Sequence, residues 1–385
     1  MFQTETDFVV WLQKRAPQKR PGLKLGIGDD AAVASLASGR DLILKSDMCI
    51  EDVHFSFRVH SPRAVGYRAL ARALSDIAAM GGTPRFALLS LALPERAKRD
   101  WFEGFYEGFG AIADRYGVAL AGGDTARVSA CVYIDVSVIG EISQGRALAR
   151  SGARPGDQIY VSGRLGNYAL GLRLLQARTS LRPLQAELWP GVRVRHPSRG
   201  KGLRAARVSA IEEAIQRHLY PEPRCSLGVF LAERRLASAM IDLSDGLSTD
   251  LNHLCQSSGV GALIWAGLIP RPEVSGDVSS VPLFPEGSRS SPTTSLGRRQ
   301  ARETHPLISP SLATQALKFA LHGGEDYELL FTVPTRKVAQ VPGSFGGLRL
   351  TRIGEICRSR KVQLVDVGGR QLPFRPSGYD HFRKA

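Results

Sequence analysis

Apolar residues in the first 149 positions form two patterns, short continuous runs and stretches with helical spacing. Residues 42–44 and 118–120 are continuous runs, and residues 86–93 form a run that only Ser90 interrupts; such runs are typical of buried strands. From residue 132 to residue 138 every second position is valine or isoleucine, which predicts a strand with one buried face. We expect Ser46 and Asp47 to follow the end of the first strand, and residues 122–124 to follow the third.

Two stretches of the same region predict helices. Ser61 and Pro62 suit a helix start, because serine caps free N–H groups and proline fits the first turn. Apolar residues recur from there at roughly helical spacing until residues 81–82, two glycines that predict the helix end. A second helix is predicted over residues 101–116. Strands that alternate with helices indicate an α/β (α+β) fold.

The pattern changes near Arg150, where residues 151–157 form a turn-rich connector. We place a domain boundary there, which gives an N-terminal domain over residues 1–149 and a C-terminal domain over residues 150–385. Residues 271–306 lack periodicity and are rich in Ser, Pro, Arg and Thr, so we expect a flexible insertion. The C-terminal domain is predicted to contain strands at 158–161, 240–241 and 329–333, and helices at 168–175 and up to residue 254.

The composition is that of an ordinary globular protein, with 43% hydrophobic and 23% charged residues in a chain of 385. At roughly 150 residues per domain this length suits two domains. Five scattered cysteines without a C-x-x-C pair argue against a disulfide framework or zinc site and favour a reducing cytoplasm. We find neither a signal peptide nor an apolar stretch of the roughly 20 residues that a membrane span needs. We therefore expect a cytoplasmic protein without a membrane segment.

The net charge of +15 would attract anions such as nucleotides, phosphorylated metabolites or nucleic acid. No run of five basic residues occurs, and the sequence has neither a nucleic-acid-binding motif nor an aromatic stacking platform. Scattered surface arginines explain the charge equally well. A basic nucleic-acid-binding protein is therefore the weakest alternative, and we expect no nucleic-acid partner.

Aspartates lie beside glycines and after strands, and one lies inside the first predicted helix among small and apolar residues. Each alone is explained by an Asx turn or a helix cap. If several converge, however, their repulsion would raise their pKa values unless a cation is present. Oxygen ligands without a Cys or His cluster select Mg²⁺ before Zn²⁺. The aspartates are Asp29, Asp47, Asp76, Asp124, Asp242 and Asp245.

Two common phosphate-binding motifs are weak or absent. Residues 26–31 (GIGDDA) formally fit G-x-G-x-x-A, but Asp29 and Asp30 would repel a pyrophosphate that had no intervening cation. The pattern G-x-x-x-x-G-K-[ST] does not occur, which excludes a P-loop. Nucleotide phosphates would therefore be held through aspartate-bound magnesium and glycine turns.

Together these motifs resemble the bacterial thiamine-monophosphate kinases, whose blocks occur here in the same order over nearly the whole chain. Any one block alone would be a weak signal. The blocks are GIGDDAA (26–32), SD (46–47) with HF (54–55), LSDIAAMG (74–81), GGDT (122–125), GRALARSGARPG (145–156), IDLSDGL (241–247), GGEDYEL (323–329) and GYDHF (378–382).

The resemblance implies a two-domain architecture shared with aminoimidazole-ribonucleotide synthetase, selenophosphate synthetase and a hydrogenase-maturation protein. This architecture has an N-terminal mixed-sheet dimerisation domain, which binds ATP and Mg²⁺, and a C-terminal α/β domain of the aminoimidazole-ribonucleotide synthetase type. The resemblance also implies a homodimer. The implied activity is direct transfer of the ATP γ-phosphoryl group to thiamine monophosphate, without a phosphoenzyme, in the biosynthesis of thiamine diphosphate.

The resemblance also assigns roles to individual residues. The implied Mg²⁺ ligands are Asp29, Ser46, Asp47, Asp76, Asp124, Asp242 and Asp245. The implied ATP contacts are Gly123, Asp124, Arg150 and Ser244, and the implied contacts to thiamine monophosphate are His54, Glu325 and Tyr379. Asp47, Asp124 and Arg150 are the implied catalytic residues.

Several of these residues have structural alternatives. His54 could be an ordinary histidine at a strand end, Tyr379 could anchor the C-terminal tail, and Arg150 could form a salt bridge in the connector. Glu325 could be a turn carboxylate.

The chain also departs from the family pattern at two positions. Lys45 stands where a small hydroxyl residue is common and could weaken or replace one Mg²⁺ site, and Asp52 stands where glycine is common.

Chemistry alone does not decide between a kinase and a synthetase of the same superfamily. A phosphate acceptor is substantially ionised near neutrality, since its second pKa is about 6, so no strong general base is required. Catalysis would consist of charge neutralisation and in-line positioning. A selenophosphate synthetase would usually carry a reactive Cys near the N-terminus, and the first 48 residues contain none. The kinase is therefore favoured.

Overall fold

The computed structural model describes residues 11–16, 21–25, 27, 33–35, 37–180, 203–272, 312–366, 368–372 and 374–377. Apart from residues 271–272, the predicted insertion at 271–306 lies outside this part of the chain, and so do Asp29 and Tyr379. No helix in the described ranges is both long enough and apolar enough to cross a membrane.

A four-stranded mixed sheet forms the first half of the structure. Its strands are β3 (Arg40–Ile50), β4 (Thr83–Pro94), β5 (Ala119–Val128) and β6 (Tyr133–Ser143), after a small ribbon of β1 (Leu23–Leu25) and β2 (Val33–Ala34). The order is β3-β6-β4-β5, with β4 and β5 parallel and the other neighbours antiparallel. The sheet confirms the predicted strands and the α/β class.

The strands extend beyond their predicted ends. β3 pairs with β6 continuously from Arg40 to Ile50, so Asp47 lies inside the strand and does not follow it. β5 likewise continues through residues 122–124 to Val128. Both predictions of strand ends were wrong, because polar residues and glycines remain in a strand when a neighbouring strand satisfies their backbone groups.

Two long helices, α1 (Pro62–Ala79) and α2 (Arg99–Tyr116), confirm the helical predictions. The Ser61 hydroxyl accepts a hydrogen bond from the Ala64 N–H at 3.3 Å, as expected of an N-cap. α1 ends before Met80 and Gly81. Most of its residues are buried, because it packs against the first sheet on one side and against α2 on another.

The second half contains a larger sheet and five further helices within the described residues. Its strand order is β14-β13-β9-β12-β7-β10-β8, with β11 paired to β12. The strands are β7 (Gln158–Ser162), β8 (Ala239–Asp242), β9 (Gly261–Trp265), β10 (Leu329–Val333), β11 (Ser344–Phe345), β12 (Leu348–Cys357), β13 (Val362–Val365) and β14 (Gln371–Leu372). The helices are α3 (Asn167–Ser180), α4 (Leu203–Leu219), α5 (Cys225–Glu233), α6 (Leu247–Ser258) and α7 (Leu312–His322).

The two halves share a hydrophobic core around α1. Cys225, at the start of α5, donates its thiol to the Leu74 carbonyl at 3.6 Å. Buried residues of β8 and β10, such as Met240 and Phe331, belong to the same apolar cluster as Leu74. This packing places the loops that follow β8 and precede β10 against the polar side of α1.

A buried pair of histidines also joins the halves. His60 precedes α1 and His218 ends α4, and their Nε2 atoms are 2.9 Å apart. His60 Nδ1 accepts from the Ser56 N–H, so its proton is on Nε2 and points to His218. His218 Nδ1 in turn donates to the Tyr168 carbonyl. Both rings are satisfied when neutral, and burial together with the nearby charge of Arg68 disfavours an added proton on either ring.

We expect this pair to make the protein less stable in mild acid. Burial, followed by the charge of Arg68, lowers the pKa of His60 from 6.5 to about 3, whereas the unfolded chain binds a proton near 6.5. The stability contribution is therefore present above pH 6.5 and is lost as the pH falls. His60 alone should reduce the free energy of unfolding by about 2 kcal/mol between pH 7 and pH 5. Denaturant unfolding at both pH values should show that the free energy of unfolding of His60→Gln falls by about 2 kcal/mol less than that of the wild type. An equal fall in the two proteins would contradict the role of His60.

Candidate active site

A cavity of about 520 Å³ lies between the polar side of α1, the segment at residues 52–60 and the loops of the second sheet. It brings together eight of the residues singled out from the sequence. These are Asp47, His54, Asp76, Arg150, Asp242, Ser244, Asp245 and Glu325. Residues from both halves of the chain therefore contribute to one site.

Three carboxylates from different elements meet near Lys45. Asp76, on α1, pairs with the Lys45 ammonium at 2.9 Å. Asp242 is buried at the end of β8 and accepts a hydrogen bond from the Ser75 hydroxyl at 2.8 Å. Asp47, on β3, contacts Arg72 at 3.2 Å. The acidic groups are thus partly neutralised by cations of the chain itself.

The environment disfavours the ionised forms of Asp76 and Asp242. Burial raises the pKa of Asp76, although Lys45 opposes the rise. Burial and the nearby Asp76 carboxylate raise the pKa of Asp242 to about 7. Burial alone would lower the pKa of Lys45, but Asp76 and Asp47 raise it. A set of buried oxygen donors that repel one another is suited to a hard divalent cation.

Asp245 belongs to a second group of potential ligands beside this one. Donor atoms of Asp245, Asp250 and His253 all lie within 4.8 Å of one another. Asp250 is buried and accepts hydrogen bonds from the backbone N–H groups of Asp245 and Gly246, at 3.1 and 3.0 Å. These bonds fix the loop between β8 and α6, and with it the position of Asp245.

Glu325 is held in the cavity by a strained loop. Its N–H donates to the Ser244 carbonyl at 2.7 Å, which ties the loop before β10 to the loop after β8. Glu325 and Tyr327 both have a φ of 52°, a left-handed conformation that is uncommon for residues other than glycine. Burial would raise the pKa of Glu325, but Arg68 and Arg72 lower it to about 2. The carboxylate is therefore a fixed negative charge.

The segment before His54 shows why glycine would suit position 52. Asp52 has a φ of 61°, in the left-handed region that glycine adopts most easily and aspartate tolerates better than most residues. Its N–H donates to the Phe55 carbonyl at 2.7 Å, which closes the turn around His54. His54 Nδ1 accepts from the Ile50 N–H at 3.0 Å. The departure at residue 52 thus preserves the turn.

The structure does not bring every expected residue to this cavity. Side chains alternate along a strand, so Ser46 lies on the opposite face of β3 from Asp47, and its hydroxyl donates to Asp135 at 2.8 Å. Asp124 is exposed on β5, where its register partner is Ser90. Together with Gly123, it lines a separate cavity of about 90 Å³ beside Tyr106.

Sequence reasoning missed two arginines of the site. Arg68 and Arg72 are eight and four residues before Asp76, so the three side chains share one face of α1. A row of charges along a helix that is otherwise apolar could have revealed them, because charged groups are rarely buried without partners. Arg68 and Arg72 contact residues of both halves of the chain, such as His54 in the first and Glu325 in the second.

Comparisons with known proteins show which family the chain is similar to. The family model of the AIR synthase related protein, N-terminal domain, matches residues 28–142. A thiamine-monophosphate kinase of Salmonella typhimurium is 34% identical over 370 residues, which cover 96% of this chain and 95% of that protein. One from Bacillus subtilis is 32% identical and covers 93% and 94%.

Solved structures of similar proteins share the fold of this chain. The crystal structure of thiamine-monophosphate kinase from Stenotrophomonas maltophilia has a TM-score of 0.68 and 32% identity, and covers 93% of this chain and 94% of that one. The structure of AaThiL complexed with AMPPCP and TMP has a TM-score of 0.64 and 27% identity, and covers 98% and 97%. The hydrogenase maturation protein HypE from E. coli, at 17% identity and a TM-score of 0.64, shares the fold.

Proposed function

The chain belongs to the family of thiamine-monophosphate kinases, and we propose that the cavity between its two halves is where it acts. The protein is an ATP-dependent kinase that converts thiamine monophosphate to thiamine diphosphate and releases ADP. The observation that supports this location is the meeting of Asp47, Asp76 and Asp242 in the same cavity as Glu325. The proposed cation-binding region and the proposed region for the positively charged ring of the substrate thus share one cavity.

We propose that Mg²⁺ is bound by the carboxylates of the cavity. Asp47, Asp76, Asp242 and Asp245 are the ligands that the geometry supports, while Asp29, Ser46 and Asp124 remain proposals from the resemblance alone. Bound Mg²⁺ would neutralise the phosphate charges. The chain's own contribution is to hold these carboxylates in a partly dry site, where each electrostatic interaction is stronger than in water.

Glu325 and His54 suit the organic part of the substrate. The thiazolium ring is positively charged, and Glu325 keeps its negative charge because two arginines lower its pKa. His54 lines the same cavity. We further propose that Tyr379, which lies outside the described residues, contacts this ring through a cation–π interaction.

The nucleotide is proposed to lie on the other side of the carboxylates. Arg150 and Ser244 line the large cavity, and Gly123 and Asp124 line the smaller one. Arg150 can offer its planar donors to a phosphate, and it needs no proton-transfer role because the acceptor phosphate is already ionised. Asp47, Asp124 and Arg150 remain the proposed catalytic residues.

The division into domains at residues 149 and 150 also remains a proposal. The strands of the first sheet end at Ser143, and those of the second begin at Gln158. The boundary therefore falls in a segment between two sheets. The shared core around α1 means that each part is expected to be less stable when separated.

We propose that the protein forms a homodimer through the outer face of the first sheet. β3 is an edge strand, and its outward side chains Leu42, Leu44 and Met48 are 51%, 71% and 51% exposed. Tyr133 and Leu88 extend this apolar surface on β6 and β4. Exposed apolar patches of this kind mark interfaces between proteins. The open edge and the apolar face together favour a second copy of the same sheet.

Leu44→Glu should therefore shift the protein from dimer to monomer in sedimentation velocity, because a buried carboxylate at the centre of the interface would be costly. Leu268→Glu is the matched control, since Leu268 is also exposed but lies in the second half of the chain. A wild-type protein that is monomeric at tens of micromolar, or equal behaviour of the two variants, would refute the interface.

Direct product analysis tests the proposed function. The purified protein, with ATP, Mg²⁺ and thiamine monophosphate, should form thiamine diphosphate and ADP in equal amounts, and unphosphorylated thiamine should give no product. ADP release with another phosphorylated acceptor, together with none for thiamine monophosphate, would favour a synthetase of the same superfamily. Folded protein that forms no product above the control without enzyme would refute the kinase.

A further inference from the structure

Arg72 lies between the carboxylates proposed to bind Mg²⁺ and Glu325, which is proposed to face the thiazolium ring. One terminal nitrogen, Nη2, is 3.2 Å from Asp47 Oδ1, and the other, Nη1, is 2.5 Å from Glu325 Oε1 and 3.2 Å from the Tyr327 hydroxyl. The guanidinium thus spans from a proposed Mg²⁺ ligand to the carboxylate proposed to face the thiazolium ring. Its side chain is 13% exposed.

The neighbouring Arg68 already supplies the structural charge partner of Glu325. Arg68 is fully buried and donates to Glu325 Oε2, to the His54 and His218 carbonyls and to the Tyr168 hydroxyl, at 2.7–3.1 Å. It therefore ties together the segment around His54, α4 and the loop of Glu325. Glu325 therefore keeps an ion pair with Arg68 when Arg72 contacts another group.

Arg72 differs from Arg68 in facing the cavity. Arg72 and its three hydrogen-bond partners, Asp47, Glu325 and Tyr327, all line the cavity, whereas Arg68 is fully buried. A divalent cation at Asp47 would compete with Arg72 for the same carboxylate. The Nη2 donors would then be available to an anion that enters beside the cation.

We infer that Arg72 binds the phosphate of thiamine monophosphate and holds it towards the proposed Mg²⁺ ligands. The inference rests on the proposed function. The substrate carries a positively charged ring and a negatively charged phosphate. If the ring lies next to Glu325, the phosphate is directed to the guanidinium of Arg72, which lies between Glu325 and Asp47. A guanidinium matches a phosphate with two parallel hydrogen bonds. It also reduces the repulsion between the acceptor and the nucleotide.

Calorimetric binding of thiamine monophosphate and of unphosphorylated thiamine, without ATP, separates the phosphate from the ring. Arg72→Gln should weaken the binding of thiamine monophosphate by at least about tenfold and leave that of thiamine within about threefold. Arg72→Lys should restore part of the loss, since it keeps the charge but loses the planar fork. The loss in Arg72→Gln should increase when Mg²⁺ is added.

Arg63→Gln serves as the matched control, because Arg63 is exposed on the same helix and its replacement removes the same charge. It should bind both compounds as the wild type does. If Arg72→Gln weakens the binding of thiamine monophosphate and of thiamine equally, Arg72 only positions Glu325 and the inference is wrong. Unchanged binding of both compounds also overturns the inference. If the wild-type protein binds neither compound and forms no thiamine diphosphate, the proposed function fails instead.

Discussion

Asp47→Asn should lower kcat by at least about 10³-fold while the protein stays folded. Asp47 lies within β3, where its backbone pairs with Val136, and asparagine has nearly the same shape. The strand is therefore expected to persist. What the substitution removes is the negative charge at the proposed Mg²⁺ site and the ion pair with Arg72. Initial rates of thiamine diphosphate formation at saturating ATP and Mg²⁺ measure the effect.

Asp41→Asn provides the comparison for this variant. Asp41 is on the same strand and accepts a hydrogen bond from the Gly145 N–H at 2.9 Å, which an asparagine oxygen can also accept. Its turnover should stay within about twofold of the wild type, since the position is far from developing charge. A rate for Asp47→Asn that equals that of Asp41→Asn would remove Asp47 from the mechanism.

Gly108→Ala should lower the free energy of unfolding by about 3 kcal/mol or more. A Cβ at Gly108, on α2, would lie 1.9 Å from the Arg63 carbonyl oxygen on α1. The contact is reciprocal, because a Cβ at Gly66 would lie 1.9 Å from the Phe105 carbonyl oxygen. Backbone atoms on both sides leave no flexible side chain that could move away. The helices must separate to accept even one methyl group.

Gly110→Ala on the same helix is the matched control. No atom lies within 4 Å of a Cβ added at Gly110, so alanine should stabilise the helix by about 0.5–1 kcal/mol. Equilibrium urea unfolding of both variants gives the comparison. If Gly108→Ala is as stable as Gly110→Ala, the close crossing of α1 and α2 does not exist in solution. Because α1 carries Arg72 and Asp76, the variant that separates the helices should also lose activity.

The family resemblance and the cavity support different parts of the site. The cavity unites Asp47, Asp76, Asp242 and Glu325 independently of any relative. Asp124 and the hydroxyl of Ser46 lie away from Asp47 in the single chain, so their proposed roles depend on the resemblance alone. Variants of Asp47 therefore test the chemistry of the cavity directly.

The sequence by itself determined the features that depend on neighbours along the chain. The start of α1 at Ser61 and Pro62 and the strand at residues 329–333 were both predicted correctly. Each depends on side chains within a few residues, because capping, alternation and helical spacing are local effects.

Only the tertiary structure decided how distant residues meet. Ser75 and Asp242 are 167 positions apart yet share a hydrogen bond, and Arg72 reaches Glu325 across 253 positions. β3 continues through Asp47 because β6 pairs with it, and pairing with β4 likewise carries β5 through residues 122–124. The pKa values of buried carboxylates follow from desolvation and from charges brought near by folding, which no local pattern contains. The chain therefore specifies the ligands, and its packing specifies which of them act together.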